Sequence, residues 1–378
     1  MTVRLDGHLR RLTGVLMVTL GCVSCSCVPL PDRDAPQAPP PTTAPPTTAP
    51  PATAPPVTAP PTTVTPSPPR TAPVPTIYEP YAGTVPAVEP VGQRSVGQLR
   101  TADGRIRTYR LYVPNSIDPT TPAPLLIALH GGLGTSEQFE ANSGFDGLAE
   151  SNGFVVVHPD GIGARADGTG PRTWNGGYCC GPAARADVDD VGFVRQLIDR
   201  LDTERPIDPS RIFVAGHSNG AILAYRVACE LSDRIAAIGV QAGSLGVDTC
   251  TPARPVSVIH LHGTADTNHP IDGGVGSGVA GVAFRPARDA VETLAAADGC
   301  SPTPVPGADP TNPDLTVTTW TPCREAATVR YVVVDGATHA WMGHPAFSEL
   351  ASSFVGEPYT DLDASRAIWS FLTAHPRR

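Results

Sequence analysis

From residue 95 onward, largely apolar runs occupy positions 124–129, 154–157, 211–215, 235–240, 256–261 and 329–334. Runs with so little polar alternation predict strands covered on both faces of a sheet. Between them, apolar positions recur at helical spacing. Val188, Val191, Val194, Ile198 and Leu201 predict a helix with Asp187 as its N-cap. Residues 135–152 predict a single helix, capped by Thr135 or Ser136 and ended near Gly153. Further helices are predicted at 221–225, 287–297 and 364–372. Two runs, 95–99 and 107–113, flank Asp103-Gly104 as a hairpin would, and Pro114 closes the second. Residues 174–186 are glycine-rich at their start and without helical period, so a loop is expected. Strands alternating with helices predict an α/β domain with a mostly parallel, doubly wound sheet.

Upstream the pattern changes. Arg4, Arg10 and Arg11 precede an apolar run from Leu12 to about Val23, the layout of a signal peptide and too short to span a membrane. Cys22, Cys25 and Cys27 close that run, each after a small residue, which resembles a lipoprotein cleavage box with imperfect flanks. Attachment to a membrane through a lipidated Cys22 or Cys25 and plain secretion both stand as readings. Residues 29–76 are mostly Pro, Thr and Ala, with nothing to build a core, and read as an extended tether. The organisation expected is a leader over 1–27, a linker over 28–90 and one α/β domain over 91–378.

The formal charge is −9, and all 27 basic residues are arginine. That balance argues against nucleic acid and anionic membrane surfaces as partners. Six cysteines lie in the expected domain: 179, 180, 229, 250, 300 and 323. An even number suggests three disulfides. Local closure favours Cys229–Cys250 and Cys300–Cys323, which leaves the adjacent Cys179 and Cys180; either these two bridge, or the first pairings are wrong. No C-x-x-C spacing occurs in this region, so a structural zinc is not expected; no cofactor is expected either.

Candidate chemistry centres on Gly216-His217-Ser218-Asn219-Gly220, between a predicted strand and a predicted helix. Gly-x-Ser-x-Gly in that context is the nucleophile elbow of an α/β-hydrolase. A serine hydroxyl needs a histidine base, and the base needs a carboxylate to hold its tautomer. In this fold the partners follow in the order serine, acid, histidine, on loops after strands. Asp266, after strand 256–261, is the preferred acid, with Asp272 in reserve; Asp248 falls before that strand. His339, after strand 329–334, is preferred over His344 and His375. Oxyanion donors are expected from the Asn219 amide and from Gly132 or Leu133, in His130-Gly131-Gly132-Leu133. Trp174, Tyr178 and Trp341 are candidate pocket walls, though Trp174 and Trp341 could equally serve to pack a loop.

Several segments together resemble the extracellular poly(3-hydroxybutyrate) depolymerase and feruloyl esterase family, carbohydrate esterase family one in the broad sense. They are Arg110-Leu111-Tyr112-Val113-Pro114, Leu129-His130-Gly131-Gly132, Trp174 with Cys179-Cys180-Gly181, and Asp189-Asp190-Val191-Gly192-Phe193. The elbow, His262-Gly263-Thr264-Ala265-Asp266 and Thr338-His339-Ala340-Trp341 complete the set. The resemblance implies an α/β-hydrolase fold and ester hydrolysis through Ser218, Asp266 and His339. The sequence departs from the family at Met342, where proline is frequent, and shows no separate polymer-binding domain, which favours soluble esters over crystalline polyester. Three rival readings are an acyltransferase on the same fold, a non-catalytic cell-wall binding protein, and a metallohydrolase using His260, His262, Asp266 and His269.

Overall fold

The computed structural model describes residues 76–165 and 168–378. The expected leader, the candidate lipidation sites Cys22 and Cys25, and the Pro/Thr/Ala tract before residue 76 lie outside the described residues.

The frame is an eleven-stranded sheet. In chain order its strands are β1 (Thr76–Ile77), β2 (Gln93–Arg100), β3 (Ile106–Val113), β4 (Ala123–Leu129), β5 (Val155–Pro159) and β6 (Ile207–His217). They continue as β7 (Ala237–Gln241), β8 (Ser257–Gly263), β9 (Val305–Ala308), β10 (Leu315–Trp320) and β11 (Val329–Val334). The spatial order is β1-β9-β10-β11-β8-β7-β6-β4-β5-β3-β2. The central run from β5 through β4, β6, β7 and β8 to β11 is parallel; the β2–β3, β3–β5, β9–β10 and β10–β11 pairs are antiparallel. This is the expected α/β-hydrolase arrangement, with its crossovers closed by helices.

The strands are apolar on both faces because alternate residues feed two cores. Leu125, Ile127, Val214, Ile238, Val240 and Val258 face one core with helices α4 (Asp190–Glu204), α5 (Asn219–Glu230) and α6 (Ala287–Ala297). Leu126, Ala128, Phe213, Ala215, Ile259 and Leu261 face the other with α1 (Ser136–Ser143), α2 (Phe145–Asn152) and α8 (Ala364–Thr373). Helix α8 lies close on β7, where a Cβ at Gly239 would stand 2.3 Å from Ile368 Cγ2. Any side chain there costs about 1–3 kcal/mol of overpacking.

Four expectations are corrected. The helix expected over 135–152 is two helices, α1 and α2, parted at Gly144, whose φ is 71° and whose Cβ position is taken by the His344 ring. Thr135 does cap α1, accepting from the Gln138 amide at 3.1 Å. Helix α4 is capped by Asp189, not Asp187: its carboxylate accepts from Gly192 N at 2.7 Å. The loop 174–186 contains a short helix, α3 (Gly181–Arg185). The linker boundary at residue 90 is also too late. Residues 76–90 carry Ile77, Tyr78, Tyr81, Val85 and Val88 in place of the repeats and are bound to the fold. β1 pairs in parallel with β9, the Asp363 amide donates to Tyr81 Oη at 2.7 Å, and Asn152 bonds both N and O of Val85.

Three disulfides form: Cys229–Cys250, Cys300–Cys323 and the adjacent Cys179–Cys180. The first closes a segment with a sequence separation of 21. Chain-entropy arguments put such a closure at about 3 kcal/mol. Replacing Cys229 and Cys250 together by serine should lower the free energy of unfolding by about that amount. Urea unfolding of the oxidised protein, followed by circular dichroism, would check this; an unchanged midpoint would contradict it.

Candidate active site

The site is built where β6 turns into α5. Ser218 adopts φ 54°, ψ −118°, a conformation that costs about 1–3 kcal/mol for a residue with a side chain. The turn is possible only because its flanks lack side chains. A Cβ on Gly216 would lie 2.4 Å from the Gly220 carbonyl oxygen, and one on Gly220 would lie 2.4 Å from that of Leu129. The Ser218 amide donates to Gln241 O at 2.9 Å, tying the elbow to β7.

The turns after β8 and β11 bring Asp266 and His339 to this serine. His339 Nε2 stands 2.9 Å from Ser218 Oγ, and His339 Nδ1 stands 2.7 Å from Asp266 Oδ2. The other oxygen of Asp266 accepts from the amides of Asn268 (3.0 Å) and His269 (2.8 Å). Burial pushes the Asp266 pKa up, but the His339 imidazole and its hydrogen bond, His262 and the His269 amide together outweigh this and bring it down to about 2. The carboxylate is therefore ionised, and His339 Nδ1 carries the proton that it accepts. Of the alternatives, Asp248 is an exposed partner of Arg285, and His344 pairs with Asp363 at 3.2 Å.

Two side chains absent from the sequence-level expectations hold the His339 loop. His217 Nε2 donates to the His339 carbonyl at 2.8 Å. Burial, followed by the neighbouring His339 ring, lowers the His217 pKa to about 3, so this ring is neutral. Gln241, fully buried on β7, donates to Ala340 O at 2.8 Å and accepts from Met342 N at 3.1 Å. The signal for Gln241 was a lone amide at the end of an apolar strand, where only a satisfied polar group is tolerated.

His260 and His262 form a buried chain with fixed direction. His262 Nε2 faces the His269 carbonyl at 2.9 Å, which can only accept, so that nitrogen bears the proton. Burial pushes both rings down to the neutral form. His262 Nδ1 then accepts from His260 Nε2 at 3.0 Å, and His260 Nδ1 accepts from the Tyr225 hydroxyl at 2.8 Å. Their nitrogens are thus engaged with one another, and among the described residues there is no group of three or more His, Cys, Asp or Glu arranged to hold a metal.

Gly132 and Leu133 differ in what their amides are free to do. Leu133 N donates to Arg172 O at 2.7 Å, so the expectation that Leu133 supplies an oxyanion donor is corrected: its amide is already used. The Gly132 amide has no partner among the described residues, and Gly132 packs against Asn219, a Cβ on it falling 3.5 Å from Asn219 Cβ. The Asn219 side chain is spent on Trp174, accepting from its N at 2.7 Å and donating to its O at 3.0 Å.

A cleft of about 710 Å³ opens above Ser218, lined by Phe139, Ile222, Phe284, Trp341, Phe347 and Phe354 among others. Trp341 lines it as expected, with its Nε1 bonded to Ser365 Oγ at 2.8 Å. Trp174 and Tyr178 do not: of the two readings offered for Trp174 the structure has loop packing, and the reading of Tyr178 as a wall is corrected. Trp174 is 0% exposed, donates from Nε1 to His130 O at 2.9 Å and packs the 130 loop. Tyr178 points its hydroxyl to Ser244 Oγ at 2.9 Å. The missed wall is Phe347, Leu350 and Phe354, around α7 (Glu349–Val355). Their spacing of three and four residues is a helical signal, and all three are exposed.

Comparison with known proteins finds similarity to esterases. The Esterase family model matches residues 101–272. The chain is 30% identical over 234 residues to feruloyl esterase B of Piromyces equi, covering 60% of this chain and 41% of that protein. It is 27% identical over 250 residues to a bifunctional acetylxylan esterase/xylanase of Neocallimastix patriciarum, covering 65% and 33%. It is 28% identical over 148 residues to poly(3-hydroxyalkanoate) depolymerase C of Paucimonas lemoignei, covering 39% and 34%. The chain thus spans less than half the length of each of these relatives. The segment that the Esterase model matches, residues 101–272, includes Ser218 and Asp266, and the chain is similar over part of its length to feruloyl esterases and to a poly(3-hydroxyalkanoate) depolymerase.

Proposed function

We propose that this protein is a serine carboxylic-ester hydrolase working through Ser218, His339 and Asp266. The observation that carries the reading is the unbroken line from Ser218 Oγ through His339 to Asp266, with contacts of 2.9 and 2.7 Å. His339 Nε2 takes the serine proton as Oγ attacks the ester carbonyl, and ionised Asp266 stabilises the imidazolium that forms. The amides of Asn219, at the start of α5, and Gly132 receive the oxyanion; a donor of this kind is worth about 2.7–4 kcal/mol. His339 then protonates the departing alcohol, and water, deprotonated by the same ring, releases the acid and restores Ser218. The apolar cleft suits an aryl or short hydroxyacyl ester, as the names of the relatives suggest. Three disulfides support export to an oxidising compartment.

Ser218→Ala should abolish turnover of p-nitrophenyl butyrate, a loss on the order of 10⁶-fold in kcat, with the fold retained by circular dichroism. Turnover near the wild-type rate would overturn the reading. Asp266→Asn should lower kcat by about 10⁴-fold, because the amide no longer selects the tautomer that presents a free Nε2. The pH dependence of stability separates this pair further. The Asp266 pKa is depressed from 3.8 to about 2, so its contribution is present above about pH 4 and is lost as pH falls towards 2. The stability difference between wild type and Asp266→Asn should therefore be constant from neutral pH to about pH 4 and shrink below it, as read from urea midpoints. A difference that grows on acidification would contradict the assignment.

A further inference from the structure

The cleft above Ser218 has uncharged walls with one exception. Among the described residues and histidines apart, Arg185 is the only one lining the cleft that carries a charge at neutral pH, and no described Asp or Glu lines it. Arg185 closes α3, the short helix that leaves the cleft wall at Cys180 and Gly181. Its side chain is exposed and makes no hydrogen bond or ion pair with any described residue.

That isolation runs against the charge balance of the molecule. Acidic residues outnumber basic ones by 36 to 27, and other arginines find carboxylates. Arg94 meets Asp146 at 2.9 Å, Arg107 meets Asp190 at 2.6 Å, Arg172 meets Asp160 at 3.2 Å and Arg226 meets Glu230 at 2.8 Å. A guanidinium is a fork of donors matched to a carboxylate. Arg185 shares the cleft lining with Ile222, Phe284 and Val279, apolar surface on which the chain of a ligand can rest while its anionic end meets the guanidinium.

We propose that Arg185 makes this cleft selective for esters that keep a free carboxylate away from the scissile bond, such as half-esters of dicarboxylic acids. The carboxylate docks on Arg185 while the ester carbonyl lies at Ser218 and the connecting chain rests on the apolar wall. The inference rests on Ser218 as nucleophile, and its test is arranged to fail separately from that reading.

The test compares p-nitrophenyl half-esters of glutaric, adipic and suberic acids with neutral p-nitrophenyl esters of the same chain lengths. Each is assayed with the wild-type chain, Arg185→Gln and Arg185→Glu. Arg185→Gln should lower kcat/KM for the preferred half-ester by about tenfold, chiefly through KM, and leave the neutral esters within about twofold. Arg185→Glu should lower the half-ester further still. Added salt should erode the wild-type preference and leave Arg185→Gln unaffected. Equal losses on both substrate series, or no loss on either, would overturn the proposal. Absence of neutral-ester turnover by the wild-type chain would instead overturn the role of Ser218. The Arg185 site is then tested by calorimetry with monomethyl adipate, against Ser218→Ala with and without Arg185→Gln. Weaker binding in the double variant supports the proposal, and equal binding overturns it.

Discussion

The site depends on how closely one turn can approach its neighbouring strand. Ser218 sits at a positive φ between two glycines whose missing side chains leave room for the carbonyls of Gly220 and Leu129. The strain is stored in a segment that cannot relax. β6 is held on both sides by β4 and β7, and α5 is buried along most of its length. A sheet with two full cores can carry a few kcal/mol of local strain at its centre, where an edge strand would bend.

The same centrality explains how residues far apart in sequence meet. The carboxylate and the imidazole stand on turns after adjacent strands, β8 and β11, so sheet register alone brings them to the same end of the sheet. Fine placement comes from polar side chains that an apolar strand would otherwise exclude. Gln241 satisfies both ends of its amide on the 340–342 segment, and His217 reaches the carbonyl of His339 from the elbow itself. Behind Asp266, the chain from Tyr225 through His260 to His262 satisfies three buried polar side chains in one direction. A buried polar group left unpaired costs about 1–3 kcal/mol, which makes such a chain resistant to rearrangement.

Much of this was legible in the sequence, and the exceptions share a cause. Strands such as 124–129 and 329–334 read correctly because two-sided burial leaves an apolar run that needs no knowledge of partners. The tight turn at Ser218 was legible because backbone geometry restricts residue type locally, and the expected order serine, acid, histidine singled out three side chains that stand within hydrogen-bond reach. The break at Gly144 was hidden because a lone glycine inside a helical pattern is tolerated; its φ of 71° ends α1, and what bars a side chain there is the ring of His344, two hundred residues further on. Trp174 was left open between cleft wall and loop packing for a similar reason. Whether an indole faces a cleft or fills a core depends on what grips its backbone, and here that is the side chain of Asn219. Leu133 looked like a donor until Arg172, on the short ribbon strand Arg172–Thr173, was seen to claim its amide.

The fastening of the His339 loop has a wider consequence. Both of its anchors belong to central strands, whereas Phe347, Leu350 and Phe354 belong to a segment outside the sheet. The proposed reaction centre and the apolar cleft wall are therefore mounted on different parts of the frame. Evolution can reshape the walls for a new guest molecule without disturbing the alignment of Ser218, His339 and Asp266, and the names of the chain's relatives span several kinds of ester.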